Sequence, residues 1–393
     1  MRFLILTVAL WAIFSPISFL ALNTSTPAWF IDLDKYGDSA GQLDAAPALH
    51  SEYTLAATDK YVAVALAVRG SATRPPQIDS QSKMSLLILD ANSGKLSAKC
   101  GPWTINTELD VLATADGGFL LHMTPLADTN PQKSETLLLL SSTCAQLKQI
   151  QLPYRDGPEN SAWLPLQSPT RHTLLLIRNQ KEGIDYQLRA SDSLDLISQW
   201  HEPISKAPIV VGVSDKGILG VVQRPTTETS EASEYYYRAF DGAWRRLPIS
   251  SYYSFLSDDI LVGTMNSTPQ PWKVNKAQVK AIRLDGTTVF SAAVSSNGYH
   301  VEPMSDISVS SDGDHFALSL DFAGGGWLWG NLDMGPEHHS VYVWSLSRAK
   351  PCAKIKLRRW LGHPLLAFAP RGSWFAFLDG SKLTVQPFPN HIQ

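Results

Sequence analysis

The chain has 393 residues, a formal net charge of -3 and a charged fraction of 18%. That balance leaves no broad basic field, which excludes nucleic acid as an expected partner. The apolar fraction of 44%, with 12 Trp, excludes a disordered chain, and the length exceeds one ordinary core unless the chain is built of repeats.

The N-terminus carries Arg2 and then a near-continuous apolar run from Phe3 to Phe14, broken at Ser15-Pro16. The run is shorter than the roughly 20 residues that a membrane span needs, and it reads as a secretory signal over residues 1–21. Ala21 suits the last signal position, while Phe19 fits poorly two residues before it, so cleavage and retention as an anchor both stay open. No second apolar span follows. The expected location is secreted or periplasmic, with residues 22–393 forming one domain.

Ala28 to Leu33 is the first strand-like run and belongs to no repeat. A recurring unit then begins. Its second strand appears at Tyr61–Leu66, Phe119–Met123, Thr173–Ile177, Ile218–Val222, Ile260–Thr264, Phe316–Leu320 and Trp374–Leu378. These copies lie roughly 42 to 59 residues apart, the spacing of propeller blades. A third strand keeps step at Ser85–Asp90, Thr136–Ser141, Tyr186–Ser191, Tyr236–Asp241, Lys280–Asp285, Val341–Ser345 and Leu383–Pro387. The turns Asn92-Ser93-Gly94, Asp241-Gly242 and Asp285-Gly286 follow several of them, and such steps suit the positive φ of tight hairpins. No long segment carries a 3.6-residue apolar period. The expected fold is all-β, a single propeller of about seven four-stranded blades.

First strands are visible in Val111–Gly117, Ile307–Gly313 and Leu366–Gly372. With the Leu89–Lys95 turn, these resemble blade openings and turns of the bacterial exported WD40-like and TolB-like propellers. The resemblance spans most of the mature chain and implies fold far more than function. It departs from true WD40 blades, because Gly362-His363 and Val343-Trp344-Ser345 are the nearest matches to that signature and fall in different blades.

The last repeat has three strands and then the chain ends. Ala28 to Leu33 is therefore expected to supply its fourth strand and remove the open edge. Strand direction alternates within a blade, so second-to-third connections and inter-blade connections share one face. Five of the former are long: Arg69–Lys83, Thr124–Glu135, Gln223–Glu234, Asn266–Lys276 and Asp321–Ser340. Long loops gathered on one face mark it as the binding side. The last of them holds Trp327, Trp329, Asp333, Glu337, His338 and His339, which offer stacking surface and polar contacts. Adjacent histidines in an extended segment point opposite ways, so no metal site is assigned. His300 and His363 lie in inter-blade connections of the same predicted face and complete the candidate ligand-binding set.

Cys100 and Cys144 fall in neighbouring repeats and are the expected disulfide, which leaves Cys352 over. There is no Gly-x-Ser-x-Gly elbow, phosphate loop or dinucleotide fingerprint, and no cofactor is expected. The reading is a non-enzymatic binding scaffold for a protein or glycan partner. The alternative is a propeller hydrolase or lyase acting on carbohydrate, with carboxylates from separate blades meeting in the central funnel.

Overall fold

A computed structural model describes residues 29–36, 43–44, 55–68, 83–104, 107–125, 134–153, 162–203, 208–224, 232–249, 253–266, 276–295, 299–324, 336–348, 350–357, 365–379 and 382–388. Within them the strands form seven antiparallel sheets arranged as a β-propeller. From inner to outer strand, blade 1 is Leu55–Ala57, Tyr61–Val68, Lys83–Asp90 and Leu96–Thr104, and blade 2 is Thr107–Ala113, Phe119–Pro125, Ser134–Leu140 and Gln146–Pro153. Blade 3 is Leu164–Gln167, Thr173–Asn179, Gly183–Ala190 and Leu196–Pro203, and blade 4 is Ile209–Val213, Gly217–Arg224, Ala232–Ala239 and Arg245–Arg246. Blade 5 is Tyr253–Phe255, Ile260–Asn266, Lys276–Arg283 and Thr288–Ser295, and blade 6 is Tyr299–Val309, His315–Gly324, Pro336–Ser345 and Ala353–Leu357. Blade 7 is Leu365–Phe368, Trp374–Asp379 and Lys382–Pro387, closed by Trp29–Asp32 as its outer strand. The predicted closure is therefore present, with Trp29 opposite Val385 and Ile31 opposite Leu383. One short strand, Leu43–Asp44, was not foreseen and pairs with the far end of the second strand of blade 1.

The sequence pattern follows from this geometry. Side chains of a strand alternate between the two sheet faces, and both faces of a blade pack on neighbours. In blade 1, Val62, Val64 and Leu66 join the core shared with blade 7, whereas Ala63 and Ala65 join the core shared with blade 2. The central strands are therefore largely apolar in the middle, as in Val62–Leu66 and Leu86–Leu89, while outer strands such as Gln146–Pro153 are mostly exposed or half-buried.

The turns between first and second strands occupy one face and are held by side chains. Thr58 Oγ1 accepts the amides of Lys60 and Tyr61 at 3.3 and 3.0 Å, and Ser214 Oγ accepts those of Lys216 and Gly217 at 3.2 Å each. Carboxylates then tie one turn to the next. Asp215 of blade 4 accepts the hydroxyl of Thr173 in blade 3 at 2.8 Å, and its own amide donates to Asp258 of blade 5 at 2.9 Å. Across the chain closure, Asp59 of blade 1 accepts the Arg371 amide of blade 7 at 3.3 Å. Among the hairpin glycines, Gly286 takes φ 91°, as its Asp-Gly step predicts, but Gly242 is not among the positive-φ residues.

Arg171 closes this end of the channel. It sits in the first turn of blade 3 with φ 67°, buried, and its guanidinium donates to Ala57 O and, at 2.8 Å, to Phe368 O. Those carbonyls end the first strands of blades 1 and 7, which are not neighbours of blade 3. The side chain must therefore reach across the axis. Burial pulls its pKa down to about 10, against the pull of Asp59.

Candidate functional site

The opposite face carries the second-to-third and inter-blade connections. Blade 3 makes its connection by a tight turn, with Gln180 and Gly183 exchanging backbone hydrogen bonds at 2.7 and 3.3 Å. In blade 6 the expected connection Asp321–Ser340 is shorter than predicted. The strands run on to Gly324 and from Pro336, with Asp321 opposite His339 and Phe322 opposite His338. Glu337, His338 and His339 are thus strand residues. His300 also lies in a strand, opposite Ala323, rather than in an inter-blade connection. The backbone brings these four positions to one end of blade 6, the end on the long-connection face. Trp327, Trp329, Asp333 and His363 lie outside the described residues, as does the 1–21 segment.

Two features of this face were not anticipated. The first is at the channel mouth. Leu164 opens the first strand of blade 3 and is 49% exposed; Ile209 opens that of blade 4 and is 60% exposed, with Val211 beside it at 38%. First strands line the axis of a propeller, so these side chains form an apolar rim at the end of the channel opposite Arg171.

The second is a buried polar row between blades 2 and 3. The first three strands of blade 2 each supply one member, Asp110, His122 and Glu135, with Asp110 directly opposite His122 in the ladder. They share the sheet face of Leu112, Leu120, Leu137 and Leu139, which pack on Leu174 and Leu176 of blade 3. His122 meets Asp110 Oδ2 through Nδ1 at 3.0 Å and Glu135 Oε2 through Nε2 at 2.7 Å. Burial alone would push the imidazole pKa down. The hydrogen bonds and charges of both carboxylates outweigh it and raise the pKa to about 9.

Glu135 also accepts the Trp163 amide, at 3.1 and 3.0 Å to its two oxygens. The Arg178 guanidinium lies 4.4 Å from the Trp163 ring centroid and donates to Pro153 O at 2.7 Å and Asp185 at 2.9 Å. His201 Nδ1 meets the other Asp185 oxygen at 2.8 Å.

This row is poorly disposed for catalysis. His122 is 1% exposed and has a carboxylate on each ring nitrogen, so it has no free position for a substrate proton. The carboxylates diverge from opposite sides of the ring. Among the described residues no group of three or more His, Cys, Asp or Glu could hold a metal ion. Also among them, no helix is long and apolar enough to cross a membrane. A disulfide joins Cys100 to Cys144, as their neighbouring blades predicted.

Solved structures similar to this chain are β-propellers at very low identity. The propeller domain of the Trilobed protease from Pyrococcus furiosus matches with a TM-score of 0.51 and 8% identity, covering 86% of this chain and 95% of that one. An uncharacterized protein, lmo1340, from Listeria monocytogenes EGD-e matches with a TM-score of 0.51 and 8% identity over 87% of this chain and 95% of that one. BamB from Moraxella catarrhalis matches with a TM-score of 0.38 and 12% identity over 93% and 100%. The Pyrococcus domain is described as having an open velcro topology, whereas here an N-terminal strand completes the last blade. No protein-family model and no curated protein sequence matches the chain. The first two likenesses show the fold alone.

Proposed function

We propose that the protein is an exported, non-enzymatic binding scaffold that receives a protein partner on the long-connection face. The observation that carries this reading is the asymmetry of the channel. Arg171 fills one end, and Leu164, Ile209 and Val211 present apolar surface at the other. Exposed apolar residues around a concavity suit a protein segment better than a glycan, whose hydroxyls need polar partners. The disulfide favours an oxidising compartment, in keeping with a signal over residues 1–21 and a secreted or periplasmic location. Membership of the exported TolB-like propellers fits the same picture.

The non-enzymatic reading draws on the blade 2 row. Of the carboxylates near this face, Asp110 and Glu135 are both committed to His122, and Asp185 is held by Arg178 and His201. The test is a pull-down from envelope extract with wild type, a Leu164→Asp/Ile209→Asp variant and a variant lacking 324–330. The reading expects the same partner to be lost from both variants while their melting temperatures stay near wild type. Unchanged recovery by both would refute it.

A further inference from the structure

The outer strand of each blade presents an edge to the rim of the ring, and a bare edge invites pairing with another chain. Charged side chains discourage such pairing. In blades 1, 2, 3, 4, 6 and 7 the outer strand carries at least one, as Lys99, Lys148, Glu202, Arg245, Lys354 and Asp32 show. The outer strand of blade 5 differs. Thr288–Ser295 reads Thr-Val-Phe-Ser-Ala-Ala-Val-Ser, eight residues with neither charge nor proline.

This edge is also open. Among the described residues its strand neighbour is Lys276–Arg283 alone, and none of its groups hydrogen-bonds outside that ladder. Phe290 and Val294 pack into the core shared with blade 6. Val289, Ser291 and Ala293 point the other way, toward blade 4, whose outer strand Arg245–Arg246 is too short to cover them. All three are exposed, Val289 at 38%.

We infer that this edge is the interface of a homodimer. A second copy sets its own Thr288–Ser295 antiparallel to the first and joins the two blades into one continuous sheet. Pairing about a two-fold axis uses up both bare edges and stops at two chains. The strand also complements itself. Directly opposed side chains lie on one face of a sheet, so a two-fold axis normal to the sheet sets one residue opposite its own copy. With Ser291 in that place, Val289 meets Ala293 on one face and Phe290 meets Ala292 on the other. A large side chain faces a small one in both rows, and no charge in the strand repels its copy. Lys280 lies opposite Ser291 one strand further in. Its copy would stand three strand spacings away, about 14 Å, beyond the screening length of about 10 Å. The channel mouth is built by first strands and stays clear of this contact.

Sedimentation velocity of the full chain over a concentration series tests this. It is run beside Ala293→Lys and, as a control on the exposed edge of blade 3, Ser198→Lys. Wild type and Ser198→Lys should approach twice the single-chain mass. Ala293→Lys should weaken self-association by about tenfold or more. Both substituted residues are exposed, so each variant should keep the wild-type circular dichroism spectrum. A second readout reports the register. In a Cys352→Ser background, Ser291→Cys should form an interchain disulfide on mild oxidation, because opposed residues stand about 4.5–5.5 Å apart, and Ser198→Cys should not. A wild type that stays monomeric, a dimer that Ala293→Lys leaves intact, or a cross-link at position 291 no stronger than at position 198 would overturn the assignment. None of these outcomes bears on partner recovery at the channel mouth.

Discussion

The two sides of blade 2 are built from similar leucine-rich strands yet grip their neighbours differently. Toward blade 1, Ala63, Leu86, Val111, Phe119 and Leu138 make an apolar core with the Cys100–Cys144 disulfide at its edge. Toward blade 3, Leu120, Leu137 and Leu174 pack in the same manner, but the long-connection end is polar, with His122 between Asp110 and Glu135. The inner strands explain part of this. Among the described residues, the first strands of blades 2 and 3 touch less extensively than those at the other junctions, although Gln167 of blade 3 donates to Ala113 O of blade 2 at 3.0 Å. Trp163 and Arg178 fill the space there. An apolar core tolerates small shifts, whereas a buried charge is stable only with its partner in place, so the second junction fixes position as well as contributing stability.

The largest effect should come from Glu135→Ala. It leaves the buried imidazolium with one carboxylate and the Trp163 amide with no acceptor, at a cost of about 3–5 kcal/mol in urea unfolding. On the other side, Cys100→Ser/Cys144→Ser opens a link between residues separated by 44 positions. It should cost about 2–4 kcal/mol in the same assay, with reductant reproducing the loss in the wild type alone.

The junctions should also separate by pH. The folded pKa of His122 is raised from 6.5 to about 9, so the native state holds the proton more tightly. Its contribution is complete below pH ~6.5 and is lost as pH rises through ~9, a fall of roughly 3 kcal/mol. A His122→Gln variant should lose this slope, and the disulfide variant should keep it.

The smallest effect is the most discriminating. Replacing Asp110, His122 and Glu135 together by leucine removes charge and counter-charge at once, so stability should fall by only about 1–2 kcal/mol, the cost of leaving the Trp163 amide without its acceptor. A loss as large as that of Glu135→Ala alone would mean that the row contributes net stability rather than specificity.

How much of this was legible follows from where each signal lives. The second strands read clearly because both faces of a blade are buried, which gives apolar runs such as Val62–Leu66 with no polar interruption. His122 interrupts one such run, Phe119-Leu-Leu-His-Met123, and that anomaly was the available sign of the buried row. The closing strand followed from a last blade one strand short. Blade 6 was misjudged at its ends because the Gly- and Trp-rich stretch suggested an early loop, whereas ladder pairing continues to Gly324. Arg171 left no local trace. An arginine in a Ser-Pro-Thr-Arg-His turn looks solvated until the ring places the carbonyls of blades 1 and 7 across the axis from it. Leu164 and Ile209 likewise resemble ordinary core residues until their strands are set at the channel rim.

Everything said about function turns on which end of the channel meets a partner. A photo-crosslinking residue placed at Ile209, and separately at the exposed Ala115 in the first-to-second turn of blade 2, would decide it in the full chain within its native host. The account predicts a discrete protein adduct from position 209 and none from position 115; adducts from position 115 alone would contradict it.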